Sequence, residues 1–155
     1  MSPEDSNKTA ETEQSLDKKA LENLLGFQLR RAQIKLFQHF KGSTADISIT
    51  PGQAGVLILI ENNPGISQSA LARALNIERA TLGETITGLA KKHWVKRRKS
   101  PTDGRSHALY LSANGEKLIK NLHTTINLHE KKVSANLNKN EYLEFIRLLV
   151  KFNRP

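Results

Sequence analysis

The residues of this chain with the most evident chemistry are basic, and they cluster between positions 91 and 105. These fifteen residues hold seven Lys or Arg side chains and one Asp, a charge of +6 within a net charge of +9 for 155 residues. Such a cluster attracts a polyanion, and nucleic acid is the commonest polyanion in a cytoplasm. A solvated surface that only keeps the chain soluble is the alternative that charge alone leaves open.

Catalytic and metal-binding patterns are missing from the sequence. The absence of Cys excludes a disulfide scaffold, a thiolate zinc site and a thiol nucleophile. Nucleophile-elbow, phosphate-loop, dinucleotide-loop and zinc-protease motifs are also missing. His123 and His129 share a predicted helix but lie about 240° apart around its axis, so they cannot chelate one ion together. We therefore predict no enzyme activity, no catalytic residue, no metal and no cofactor, with a metal shared between two helices as the open alternative.

The N-terminal fifteen residues are rich in Glu, Ser and Thr without apolar periodicity, which predicts a disordered leader. They lack the basic and apolar blocks of a signal peptide. The longest apolar run, residues 56–60, is far shorter than the roughly 18–20 residues of a transmembrane helix. We expect a cytoplasmic protein that does not contact a membrane.

Helical periodicity covers most of the remaining chain. Apolar residues spaced three and four apart predict one long helix from Leu16 to Phe40. Three shorter helices separated by short turns follow, which is typical of a helix-turn-helix unit. They cover residues 51–62 behind the cap Thr50, residues 68–75 behind the cap Ser67, and about residues 78–92.

The pattern then changes to a period of two residues, which predicts a β-hairpin over residues 94–99 and 107–111. Its tip, residues 101–106, has the Pro, Asp and Gly that are typical of a turn. Two further helices are predicted after the hairpin. They run from the cap Ser112 to about residue 136, and over residues 139–153 behind the cap Asn138.

The first and last predicted helices carry more apolar residues than one helix face can hold. We infer that they pack together across a large hydrophobic dimer interface. A monomeric helical bundle is the alternative. The expected organisation is a leader over residues 1–15 and a single domain over 16–155. Within that domain, dimerisation helices over 16–42 and 113–155 flank a winged helix-turn-helix over 47–112.

The helix predicted from residue 78 has the right width to enter a DNA major groove. Arg79 can fork onto a guanine or bind a phosphate, and Thr81 can reach a base edge or a phosphate. Gly83 costs a helix about 1 kcal/mol relative to Ala, so it predicts close approach of the backbone to DNA or to another helix. The alternative for Arg79 is a surface ion pair with Glu78 or Glu84.

The hairpin tip predicts a second contact with DNA. Arg105 on such a projection can enter a narrow minor groove, where negative potential is concentrated. Asp103 has the wrong charge for a phosphate ligand, so we expect it to orient Arg105 or Arg73. The neighbouring cations would neutralise phosphates, although alternate strand residues point to opposite sides and cannot all face DNA. These cations are Lys91, Lys92, Lys96, Arg97, Arg98 and Lys99.

Several of these segments together resemble the MarR (multiple antibiotic resistance regulator) family of winged helix-turn-helix repressors. They are residues 71–77 (LARALNI), Thr81, 89–92 (LAKK), Val95, Arg97, Arg98, 103–106 (DGRS) and 111–115 (LSANG). The similarity covers about residues 24–150. It implies a mainly α fold with a small β-hairpin wing, N- and C-terminal helices that intertwine in a homodimer, and two winged lobes that bind a palindromic DNA site.

The resemblance also implies roles for individual residues. Ser67 and Gln68 would meet phosphate, residues 78–84 would read bases, and Arg105 would enter the minor groove with Asp103 bracing it. The complete predicted DNA-binding set is Ser67, Gln68, Arg73, Arg79, Thr81, Gly83, Glu84, Lys96, Arg98, Ser100, Asp103, Arg105 and Ser106.

Three residues depart from the family pattern. His93 stands where a helix-ending Gly is usual, so the helix end is expected to differ. Glu78 replaces the usual Ser cap. Glu84 would repel phosphates unless it accepts a hydrogen bond from a cytosine amino group.

A small-molecule effector is implied as well. Many family members release DNA when a small aromatic acid or related ligand binds between the dimer helices and the DNA-binding lobe. Residues 25–33, 63–68 and 100–101 are similar to the branch that responds to hydroxycinnamoyl-CoA thioesters. The expected ligand-binding residues are Arg30, Arg31 and Phe37, where the two Arg would suit an anionic ligand or else be surface charges beside the dimer helix.

The expected function is therefore a dimeric transcriptional regulator, a repressor that a small aromatic acid or its CoA thioester releases from a palindromic operator. A winged-helix module that binds protein, without sequence-specific DNA binding, is the alternative function.

Overall fold

The computed structural model describes residues 17–99 and 107–154. They belong to two compact units, divided between Ile34 and Lys35. The predicted leader over residues 1–15 and the predicted hairpin tip over 101–106 lie outside the described residues. The elements are α1 (Lys19–Glu22), α2 (Leu25–Ser43), α3 (Pro51–Asn62), β1 (Ile66–Ser67), α4 (Gln68–Leu75), α5 (Arg79–Lys91), β2 (Val95–Lys99), β3 (His107–Leu111), α6 (Ala113–Val133) and α7 (Lys139–Phe152). The predicted mainly α fold with a small β-hairpin wing is confirmed.

The prediction of one continuous helix from Leu16 to Phe40 is wrong, because the chain interrupts the helix at Asn23. The backbone amide of Asn23 donates to the Leu21 carbonyl, and α2 begins only at Leu25. Asn favours such interruptions because its short polar side chain competes for backbone hydrogen bonds. Leu16 itself lies outside the described residues.

Four of the other helices, α3, α4, α6 and α7, begin where their capping residues predict. In each case the capping side chain accepts a hydrogen bond from a backbone amide of the first turn, which satisfies a donor that the helix leaves free. Glu78 precedes α5 without such a bond. The capping residues are Thr50, Ser67, Ser112 and Asn138.

Two helices end in a left-handed residue that is not glycine. Asn76 follows α4 with a φ of 51°, and His93 follows α5 with a φ of 56°. The Trp94 amide then donates to the Leu89 carbonyl at 3.0 Å. His93 thus adopts the backbone conformation that the usual glycine would adopt, and the expectation that this helix end differs from the family pattern is not met.

The wing is a sheet of three antiparallel strands in the order β1-β3-β2. The predicted hairpin pairs Val95 with Leu111. The sequence analysis does not predict β1. This strand lies on the other edge of β3 and pairs Ile66 with Leu109. A strand of two residues is too short to show a period of two, so no sequence pattern could reveal it.

The core of the second unit lies between α3, α4, α5, α6 and the inner face of the wing sheet. None of the helices in the described ranges has the length and apolar composition that crossing a membrane requires. The largest fully buried apolar side chains are Leu57, Ile60, Leu71, Leu82, Ile86, Leu89, Leu109 and Leu122.

The start of α6 lies very close to the backbone that leads into β2. The Ser112 amide donates to the Trp94 carbonyl at 3.0 Å, and the Ser112 hydroxyl donates to the His93 carbonyl. A Cβ atom placed on Gly115 would lie 2.1 Å from the Trp94 carbonyl oxygen. Only glycine fits there without a shift of the backbone, which gives the LSANG segment a structural role.

Gly115→Ala should destabilise the protein by about 2 kcal/mol, because the added methyl group collides with a backbone carbonyl. The measurement is the free energy of unfolding in urea. Gly88→Ala is the matched control: it lies inside α5 with no atom within 4 Å of an added Cβ, and it should stabilise the protein by about 1 kcal/mol. Equal effects of the two substitutions would contradict the close approach.

Candidate nucleic-acid interface

The two helices of the helix-turn-helix unit, α4 and α5, meet through Gln68 and Gly83. The Nε2 atom of Gln68 donates to the Arg79 carbonyl at 3.3 Å. A Cβ atom on Gly83 would lie 3.1 Å from the same nitrogen. Gly83 therefore makes room for a side chain from another helix, one of its two predicted uses. Ser67 uses its hydroxyl to accept from the Ala70 amide at 3.2 Å.

Four of the predicted DNA-binding side chains are exposed on this pair of helices. Arg73 lies in the last turn of α4, and Arg79, Thr81 and Glu84 lie in the first half of α5. All four are exposed in the single chain. Solvent can therefore reach all four side chains, and their contact with DNA stays a prediction.

Arg79 does not form the ion pair that would be the alternative use of its charge. The ion pairs of the described residues involve α3, α6 and α7, and neither Glu78 nor Glu84 takes part in one. The guanidinium at the start of α5 is thus not neutralised by the carboxylates beside it in the sequence.

A shallow cavity of about 650 Å³ separates α5 from β2 and is lined in part by Lys91 and Glu84. Across it, Nη2 of Arg97 donates to the Thr87 hydroxyl at 2.9 Å. That hydroxyl in turn donates to the Gly83 carbonyl at 2.8 Å. The sequence placed Arg97 among the phosphate-neutralising cations, although not in the predicted DNA-binding set. In the structure it holds the wing strand against α5.

Lys96 and Arg98 lie on the face of β2 opposite to Arg97. The guanidinium carbon of Arg98 is 5.3 Å from the centroid of the Tyr110 ring, within the range of a cation–π contact. The two cations line a concavity of about 370 Å³ whose wall also contains the carboxylates of Glu61 and Glu116. These carboxylates reduce the positive potential that the outer face of the wing can offer to phosphate.

Lys92 is turned toward the protein. Its Nζ donates to the Ser48 carbonyl at 2.7 Å and lies 4.6 Å from the centroid of the Trp94 ring. The cations of residues 91–99 are therefore divided between contacts within the protein and exposed positions, as strand alternation leads one to expect.

Four predicted DNA-binding residues lie outside the described residues, so their roles remain predictions. The strands β2 and β3, which lead into and out of the segment that holds them, are described and correctly paired. The four residues are Ser100, Asp103, Arg105 and Ser106.

Of the predicted ligand-binding residues, Phe37 lines a mostly apolar cavity of about 560 Å³ in the second unit, together with Phe40, Lys41 and other residues. Its side chain is 50% exposed. Arg30 and Arg31 belong to the first unit. There the guanidinium carbon of Arg31 lies 5.8 Å from the centroid of the Phe27 ring.

Two histidines of α6, His123 and His129, have side-chain partners within the protein. Nε2 of His123 lies 2.7 Å from a carboxylate oxygen of Glu61, and Nδ1 of His129 lies 2.8 Å from Nδ1 of His39. Burial lowers the pKa of His129 below its ordinary value. In the part of the chain that the structure describes, no three or more His, Cys, Asp or Glu side chains converge as metal ligands.

The sequence of this chain is similar to those of known transcriptional regulators. A family model described as MarR family matches residues 49–107, which include helices α3 to α5 and the first wing strands. A transcriptional regulatory protein for the hcr operon of Thauera aromatica is 36% identical over 131 residues, which cover 84% of this chain and 79% of that protein.

Solved structures agree with these matches. The transcriptional repressor CouR, bound to a 23-mer DNA duplex, superposes with a TM-score of 0.86 at 30% identity, over 90% of this chain and 99% of CouR. The PcaV transcriptional regulator of Streptomyces coelicolor, in complex with its natural ligand, shares the fold with a TM-score of 0.79 at 23% identity. That match covers 85% of this chain and 93% of PcaV.

Proposed function

The chain belongs to the MarR family of DNA-binding transcriptional regulators, and we propose that it acts in the cytoplasm as a homodimeric repressor of a palindromic operator. The observation that carries this proposal is the exposed start of α5, where the side chains of Arg79 and Thr81 are exposed and Arg79 forms no ion pair with Glu78 or Glu84. The similarity to CouR, a repressor solved on a DNA duplex, supports it.

In this proposal α5 enters the major groove with its N-terminal half. Arg79 forks onto a guanine or a phosphate, and Thr81 contacts a base edge or phosphate. Arg105 enters the adjacent minor groove from the wing, where an Arg is favoured by the concentrated negative potential. Lys91 and Lys96 neutralise phosphates, so affinity falls steeply as salt rises.

Arg105→Ala should weaken operator binding by at least about 1 kcal/mol, or about fivefold in Kd, while leaving the dimer intact. Fluorescence anisotropy with an operator selected from a random duplex library measures the change at matched salt. Lys117→Ala, which removes an exposed cation from α6, is the control and should have little effect. An unchanged affinity of the Arg105 variant would remove the wing from the mechanism.

The same selection experiment distinguishes DNA binding from the alternative function, a winged-helix module that binds protein. A sequence-specific DNA-binding protein prefers one palindrome over unrelated duplexes, and its affinity for DNA falls as the salt concentration rises. A winged-helix module that binds protein would show no preferred sequence in the selection.

The proposal of a homodimer is supported by α7. Not one of its residues is buried in the single chain, although Tyr142 contacts α6 through a hydrogen bond to Glu130. Six large apolar side chains of this helix are each between 41% and 58% exposed. A patch of this kind marks a protein interface. The six are Leu143, Phe145, Ile146, Leu148, Val150 and Phe152.

Ile146→Asp should convert the dimer into monomer at micromolar concentration, because it places a charge in the apolar interface. Sedimentation velocity measures the mass of the protein. Lys151→Asp places the same residue on the charged face of α7, which also carries Glu144 and Arg147, and it should remain dimeric. A monomeric parent protein, or a dimeric Ile146 variant, would show that α7 is not the interface.

We further propose that an aromatic acid or its CoA thioester binds in the 560 Å³ cavity beside Phe37. That volume lies within the range of small-molecule sites. Phe37 and Phe40 offer apolar surface to an aromatic ring, and Lys41 on the same wall offers a cation to a carboxylate or phosphate. Arg30 and Arg31 belong to the first unit, and their anion-binding role stays a prediction.

Hydroxycinnamic acids or their CoA thioesters should raise the melting temperature, because a ligand at 100 times its Kd adds about 2.7 kcal/mol of stability. Phe37→Ala should reduce this ligand-induced shift. Leu36→Ala is the control, since Leu36 is an exposed apolar neighbour on α2 that does not line the cavity. The same shift in both variants, or no shift in the parent protein with any of these compounds, would contradict the assignment.

A further inference from the structure

Two histidines join the end of α2 to α6 by a direct contact between their rings. The Nδ1 atoms of His39 and His129 lie 2.8 Å apart, and His129 is only 5% exposed. The Phe40 ring meets the His129 ring edge-on at a centroid distance of 5.3 Å. The proposed regulator function does not use this pair.

The geometry of the pair fits a shared proton. The ring centroids are 4.9 Å apart and the nitrogens 2.8 Å, a difference of 2.1 Å that is close to twice the radius of an imidazole ring. The two Nδ1 atoms therefore face each other nearly head-on. A tetrahedral zinc ion would need nitrogens roughly 3.3 Å apart with lone pairs that converge at an angle.

We propose that the His39–His129 pair is an acid-sensitive latch between α2 and α6. The latch is closed while one Nδ1 donates and the other accepts. It opens when both imidazoles are protonated, because an imidazolium carries a hydrogen on each ring nitrogen and neither Nδ1 can then accept. The change removes a hydrogen bond between two helices that the proposed dimer would use.

The charges around the latch compensate only in part for a second proton. Within the described ranges, the ring nitrogens of the pair hydrogen-bond to each other and to the Ser43 hydroxyl, and no carboxylate is bonded to either ring. From α6, Glu130 raises the pKa of His129, but burial, the larger cause, and the charge of His39 lower it.

The other elements around α6 add little negative charge near the pair. Glu130 accepts a hydrogen bond from Tyr142 of α7. Lys35, one turn before His39, donates from α2 to the Val133 carbonyl at 3.0 Å. From α3, Glu61 is paired with His123.

The sign of the pH dependence follows from the lowered pKa of His129. The unfolded chain takes up this proton near the ordinary His value of about 6.5, and the folded chain takes it up only at lower pH. The stabilisation from neutral His129 is therefore fully present above about pH 6.5 and is lost as the pH falls toward the folded-state pKa. Acid should loosen the contact between α2 and α6.

The test uses the full chain with His39→Asn, in which an uncharged amide replaces the imidazole and can accept from a protonated His129. The melting temperature of the parent should fall from pH 7.5 to 5.0 by at least about 2 °C more than that of His39→Asn. His107→Asn, which removes an exposed histidine on β3, should behave like the parent.

Nitrogen NMR of the imidazoles gives the second readout. At pH 7.5 one Nδ1 of the pair should carry a proton and the other should not. Two Nε2–H tautomers, an equal loss of melting temperature in all three proteins, or a titration altered by EDTA or zinc chloride would overturn the latch. Neither readout involves DNA or an effector, so a failure of the proposed repressor function would leave this result interpretable.

Discussion

The contact between the Trp94 carbonyl and the start of α6 determines how the wing is placed. The carbonyl accepts from the Ser112 amide and leaves no space for a side chain on Gly115. It lies one residue before β2, and Ser112 follows β3 directly. Both strands of the hairpin are therefore fixed at the same end, next to the start of α6. The chain needs the left-handed turn at His93 to bring this carbonyl into position.

Local signals made much of the fold predictable. A capping side chain such as Thr50 or Asn138 acts within three residues, so the sequence contains the whole interaction. Two features depend on more distant partners or weaker signals. The strand β1 exists only because β3 passes beside it, and the interruption at Asn23 occurs where the apolar spacing continues unchanged.

The candidate site was less predictable than the fold, because a sequence displays charges without their partners. Lys92 bonds to a carbonyl 44 residues away, and Arg97 bonds to a hydroxyl on a neighbouring helix. Gln68 occupies the space beside Gly83. Some cations of residues 91–99 therefore bind other parts of the protein. Fewer of them are available to DNA phosphates than the count of Lys and Arg indicates.

The terminal helix α7 supports the proposed dimer as the explanation of the excess apolar residues. A monomeric bundle would bury at least one stripe of this helix, because a packed core takes its apolar side chains out of water. The single chain buries none of its residues and leaves Leu143 and Phe152 more than half exposed. At about 25 cal/mol per Å² of apolar surface removed from water, covering such a helix is strongly favourable. The exposed helix therefore favours association of two copies over a self-contained bundle, and two copies would also present two wings to one duplex.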